Sequence, residues 1–167
     1  MSIDREGAVA ALYTRLQLPP LGPAGSGVIK AFSRIFIDPE QLGPQNQPAL
    51  ELIADTYELF NPAGTRVTKQ RGHPNVWLLH IDVVVYAWSQ EGNTSPETQL
   101  NTVLDGIDDL LAFRSDLGDK HDPSNQVDTN LGGLVSRVSI TGPVQFLAGA
   151  GAQQASVICP VEILMPS

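Results

Sequence analysis

"VWLLHIDVVVYAW", residues 76–88, is the stretch on which the fold turns. Trp77, Leu79, Ile81, Val83, Val85 and Ala87 fall on one side of a period-two ladder, and all are apolar. A helix would scatter these positions around its axis, whereas a strand gathers them on one face. The alternate positions, Val76, Leu78, His80, Asp82, Val84, Tyr86 and Trp88, mix apolar and polar groups. Such a strand extends roughly 40 Å at about 3.3 Å per residue. That is more than twice the usual strand, so one end is expected to project beyond the domain body. His80 and Asp82 interrupt the oily run, and no segment approaches the ~18–20 apolar residues of a membrane helix.

The chain after this strand predicts a helix over 96–113. Ser95 is placed to cap it, Pro96 suits the first helical position, and Glu97 complements the helix dipole. Leu100, Val103, Leu104, Ile107, Leu110 and Leu111 form a stripe at helical spacing, while Asn101, Thr102, Asp105, Asp108 and Asp109 face away. Residues 114–130 form a polar loop longer than most connections in compact domains. Two strands are expected in the last third. In 134–141, Leu134, Val138 and Ile140 share a face, and Val135, Arg137, Ser139 and Thr141 the other. In 153–165, Ala155, Val157, Cys159, Val161, Ile163 and Met165 alternate with a more polar set, so both strands are half-buried and antiparallel. Pro160 lacks an N–H and belongs on an edge or at a bulge.

Toward the N-terminus, Val9, Leu12, Tyr13 and Leu16 make one stripe of a helix over 3–17, with Ser2 as a possible cap. "LPPLGPAGSG" (18–27) stops it. Residues 28–37 read as a strand, with a short helix as the alternative; 49–59 are ambiguous by period, and flanking prolines tilt them to strand. The order is α-β-β-β-α-β-β. It predicts an α+β domain, a mainly antiparallel sheet with two amphipathic helices packed on one face, spanning residues 1–167.

The 167 residues, 42% hydrophobic and 17% charged, are enough for one globular domain with a sizeable core. A net charge of −8 argues against binding nucleic acid by neutralising phosphates, yet suits a passage along which nucleic acid slides without sticking. The lone Cys159 has no internal disulfide partner, and the N-terminus does not resemble a signal peptide, so folding in a cytoplasm is expected.

Chemistry is sparse. His80 and Asp82 lie two apart on one strand face and could orient a general base. No serine elbow, HExxH or phosphate-binding glycine loop completes a site, and a polar patch on the sheet is the ordinary reading of such a pair. Asp116, Asp119, His121, Asp122 and Asp128 make an oxygen-rich loop whose spacing departs from a calcium loop. Cys159 on an apolar face reads as an inert small hydrophobe. The segment 65–73 gathers Arg66, Lys69 and Arg71 in an otherwise acidic chain. It is either a solvated hairpin loop or a docking loop for an acidic partner surface.

The succession of these residues resembles the tail terminator (tail completion) proteins of long-tailed bacteriophages. The resembling residues are Gln47-Pro48-Ala49-Leu50, the long strand ending at Tyr86 and Trp88, and the helix with Leu100-Asn101 and Leu104-Asp105-Gly106-Ile107. They continue with Leu131-Gly132-Gly133, then Val135, Val138 and Ile140 before Gly142, and Pro160-Val161-Glu162-Ile163-Leu164. The resemblance implies an α+β subunit that forms a hexameric ring, caps the tail tube, ends its polymerisation and presents a surface to the head-completion connector. Its partners would be copies of itself, the tail tube protein and the connector, with DNA as passing cargo and no membrane, cofactor, metal or catalysis. Its place would be the virion tail, assembled in the host cytoplasm. Arg66, Lys69, Arg71 and Arg137 are the expected partner contacts. Two rivals stay open: another head–tail connector or minor tail protein, and a small metal-dependent hydrolase using His80 and Asp82.

Overall fold

The structure, a computed structural model, describes residues 4–22, 27–36, 38, 40–60, 76–89, 95–111, 131–148 and 153–165. The expected strand forms as β3, Val76–Trp88, and is central to the sheet. Along its full length it pairs antiparallel with β6, Gln154–Met165, from Trp77 opposite Met165 to Trp88 opposite Gln154. Its other edge pairs antiparallel with β2, Ala49–Phe60. Because both neighbours, at 12 residues each, run beside nearly all of its 13, its end does not stand alone. Leu78, Leu79, Ile163 and Met165 are buried there, against the expectation of an overhanging end.

The ambiguity of 49–59 has a physical source. Leu50, Leu52 and Ala54 pair with Val85, Val83 and Ile81, but an extra residue, Asp55, enters before Thr56 pairs with His80. This bulge reverses parity, so Tyr57 rejoins the side of Leu79 and the alternation breaks mid-strand. Of the strand expected over 28–37, only β1, Ala31–Ser33, forms, and it pairs parallel with β2. Ser33 ends it by accepting from the Ile35 amide and donating to the Ile35 carbonyl, while Arg34 turns to Glu6 in a bidentate pair.

Among the described residues the last third holds three strands rather than two. β4, Arg137–Ile140, and β5, Gln145–Ala148, lie one after the other along the outer edge of β6. Residues 141–144 of that edge face only Cys159 and Pro160. The Pro160 carbonyl accepts from the Thr141 amide at 2.9 Å, so the proline's missing donor points at this irregular edge. The faces expected for 134–141 need correction at the start: Leu134 is 41% exposed and Val135 only 3%. Leu131, Gly132 and Gly133 all take positive φ, and this left-handed turn precedes the strand and resets its parity. The sheet order is β1-β2-β3-β6-β4, with β5 also on β6.

Both helices cover one face. α1, Arg5–Leu16, is capped by Asp4, whose carboxylate accepts from the Gly7 amide at 2.8 Å; Asp4, not Ser2, is the cap. α1 buries Ala8, Leu12 and Leu16, with Val9 and Tyr13 partly covered. α2, Pro96–Leu111, starts on Ser95, whose hydroxyl accepts from the Glu97 amide. It buries Leu100, Val103, Ile107, Leu110 and Leu111, with Leu104 only partly covered. These side chains meet Leu79, Ile81, Val83, Val85 and Ala87 of β3 and Ala155 to Met165 of β6 in one core. Gly106 lies on the packed side of α2, where a Cβ would come within 2.5 Å of Leu21 Cδ2. Arg5 sits 3.8 Å over the Tyr57 ring, which stacks on Trp77, and so fastens the start of α1 to β2 and β3. No helix among the described residues is long and apolar enough to cross a membrane.

Candidate functional site

The register defines what the helices leave open. On the opposite face, Glu51 pairs with Val84, Ile53 with Asp82, Thr56 with His80 and Glu58 with Leu78. The rows continue across β6, where Asp82 pairs with Pro160, His80 with Glu162 and Leu78 with Leu164. They end on β4, with Ser139 opposite Glu162 and Arg137 opposite Leu164. A loop over the β1 side covers part of this face. Leu42 packs there on Ala49, Val84 and Tyr86, and Gln47 donates to the Leu42 carbonyl. Glu51 is buried beneath that part. Among the described residues no helix lies over the remainder, around His80.

His80 lies in the middle, with a side chain 26% exposed. Its Nε2 is 3.4 Å from Glu58 Oε1 on β2, and its Nδ1 is 3.4 Å from Glu162 Oε1 on β6. The two ring nitrogens point to opposite sides, so the carboxylates bracket the imidazole instead of converging with it on one point. Among the described residues no three His, Cys, Asp or Glu side chains are placed to hold a metal ion. Asp82, the residue paired with His80 in the catalytic alternative, is one row further along. Burial first, and then the neighbouring Asp55, hold the Asp82 carboxyl above its ordinary range, with His80 opposing. A general base needs a reacting group within reach; in this row the His80 and Glu162 side chains are about a quarter exposed and Glu58 somewhat more.

The partner-contact residues divide. Arg137 is exposed on β4 at the edge of the open face. Arg66, Lys69 and Arg71 lie outside the described residues, as do Asp116, Asp119, His121, Asp122 and Asp128. Cys159 is on the helix-covered face, and burial first, then Asp108 and Asp82, push its thiol up to about 12, which leaves it a poor nucleophile.

Glu58 and Glu162 are the site residues that the sequence did not single out. Each alternates onto the polar side of its own strand, but their meeting at His80 depends on the Asp55 bulge and the β3–β6 register. The ends of the sheet also expose apolar groups. Ile35 and Phe36, beyond β1, are 78% and 69% exposed, and Phe146 and Leu147 on β5 about half exposed. The chain matches no described protein family and no curated protein.

Proposed function

We propose that this chain is a structural subunit of a phage tail, one that assembles as a ring, caps the tail tube, ends its polymerisation and presents a surface to the head connector. The observation that carries the reading is the division of the sheet. One face is sealed by two helices, the other presents charge, and both ends leave large apolar side chains in solvent. Contiguous exposed apolar groups mark contact surfaces more often than they mark reaction sites. Surfaces at opposite ends of one subunit suit a head-to-tail contact, which closes into a ring where the rotation permits.

The succession of fold residues that resembles tail terminator proteins supplies the rest of the reading. Gln47-Pro48-Ala49-Leu50 leads into β2, Leu104-Asp105-Gly106-Ile107 lies in α2 with Gly106 and Ile107 on its packed side, and Pro160-Val161-Glu162-Ile163-Leu164 closes β6. The charge of −8 fits a channel through which DNA moves without adhering. In this reading the protein works in the virion tail and is assembled in the host cytoplasm. It contacts copies of itself, the tube protein and the connector, and it does no chemistry. Electron microscopy of the purified protein tests it. Rings with an axial hole, and arrest of tube growth when they are added to polymerising tube subunits, are expected. Monomeric particles without effect on tube length would contradict it.

A further inference from the structure

β1 forms one edge of the sheet, β5 shares the other with β4, and the register puts β1 and β5 level. Phe32 of β1 opens a row that runs through Leu50, Val85 and Val157 to Phe146 of β5. The rows on either side run from Ala31 through Ala49, Tyr86 and Ser156 to Leu147, and from Ser33 through Glu51, Val84 and Ile158 to Gln145. β1 is parallel to β2 and every later step is antiparallel, so β1 and β5 run in opposite directions. Among the described residues β1 pairs with β2 alone and β5 with β6 alone. Natural sheets blunt such edges with charge, proline or a bulge. Neither β1 nor β5 contains a charged residue or a proline. Phe146 and Leu147, on opposite faces of β5, are 49% and 47% exposed, and Ile35 and Phe36, just beyond β1, are more exposed still. Apolar side chains on both faces of one strand suit the interior of a wider sheet. The two edges also differ in charge. Residues 131–161 hold one charged residue, the cation Arg137, in a chain that is 17% charged. Around β1, Lys30 and Arg34 stand against Glu6, Asp38 and Glu40, which leaves that edge negative.

We infer that β5 of one copy of this chain pairs antiparallel with β1 of a second copy, Phe146 beside Phe32, so that the sheet continues from subunit to subunit. The inference rests on the ring reading and names the contact that reading needs. A copy laid edge to edge in the same orientation brings β5 antiparallel against β1 with the rows already aligned. Main-chain hydrogen bonds then hold the junction, as they do wherever a strand is added to an open sheet edge. Ile35 and Phe36 flank the same junction, so one contact covers the exposed apolar groups of both ends. Because two different edges meet, the contact repeats until the rotation closes a ring. Opposite charge at the two edges favours this arrangement over β5 on β5 or β1 on β1, each of which sets like charges together.

Two variants, each spoiling one edge, test this. One carries Phe146→Lys with Leu147→Lys on β5, and the other Ile35→Lys with Phe36→Lys beside β1. Each should fold by circular dichroism and self-associate about tenfold or more weakly than wild type in sedimentation equilibrium. Mixed in equal amounts they should stop at a one-to-one dimer, because the intact β5 of one meets the intact β1 edge of the other while the two altered edges repel. In wild-type rings, the β5 amides that do not bond to β6 should exchange about tenfold or more slowly than in the Ile35→Lys, Phe36→Lys variant, whose β5 is intact. Equal exchange overturns the strand pairing. Should the β5 variant fail to fold, Leu147→Gln replaces it, and association as tight as wild type overturns the inference. Loss of association in one variant alone makes the contact one between like edges and overturns it. So does a mixture that stays monomeric. Wild-type rings with both variants assembling normally overturn the inference and leave the ring reading standing. A wild type that stays monomeric overturns both.

Discussion

Gly106 offers a sharp test of how α2 meets the rest of the fold, because two effects of opposite sign compete there. In an exposed helix interior, Gly→Ala stabilises by about 0.8–1.0 kcal/mol through helix propensity. At Gly106 the added methyl would stand 2.5 Å from Leu21 Cδ2, 3.2 Å from Leu21 Cγ and 3.3 Å from Pro20 Cγ. Leu21 is itself fully buried, so its end has little room to swing aside. Overpacking of this kind costs roughly 1–3 kcal/mol. The balance for Gly106→Ala is therefore a loss of about 0–2 kcal/mol rather than a gain. Leu21→Ala alone should cost about 2–5 kcal/mol as a buried large-to-small change. In the double variant the new methyl fills part of the space that Leu21 vacates, so the combined loss should fall short of the sum by about 1 kcal/mol or more. Urea melts of the four proteins at one dilute concentration, where association does not contribute, give all three values. A Gly106→Ala variant stabilised by the full propensity increment, or strictly additive losses, would refute the packing of Leu21 on α2.

Ile107→Ala, in the sealed core, should lose about 2–5 kcal/mol in the same melts, whereas Asp105→Ala on the exposed side of α2 should stay within about 0.5 kcal/mol; equal losses would reverse the assigned faces. Because the folded chain holds the Asp82 proton more tightly than the unfolded chain does, stability should fall as pH rises from the ordinary aspartate range through the raised value. Asp82→Asn should then raise Tm near pH 7 and have little effect near pH 3, below the ordinary aspartate range, and a gain of equal size at both would exclude this cause. Cys159 should resist a thiol reagent near pH 8 in the folded protein and react fully in guanidinium, since burial keeps it protonated and covered; rapid labelling of the native chain would contradict its place in the core.

The parts of this fold that were legible in the sequence are those where burial is uniform along an element. β6 keeps strict alternation, and β3 an unbroken apolar row, because one side of each lies under the helices. α2 was readable for the same reason. Where a backbone irregularity resets parity, the pattern misleads: the Asp55 bulge blurred β2, and the left-handed turn at 131–133 moved Val135 inward and Leu134 outward. β5 was missed because an edge strand with Phe146 and Leu147 half exposed has no buried side to impose a period. His80 and Asp82 were visible as a pair in sequence. The bracketing of His80 by Glu58 and Glu162 was not, since it joins residues 22 positions apart across one strand pair and 82 across the other through a register that only the assembled sheet defines.

The central claim is that this chain acts as a ring of identical subunits. Native mass spectrometry of the purified protein addresses it most directly. The account predicts one dominant closed species at six times the 17.9 kDa chain mass. A chain that remains at 17.9 kDa at tens of micromolar and low salt would contradict it.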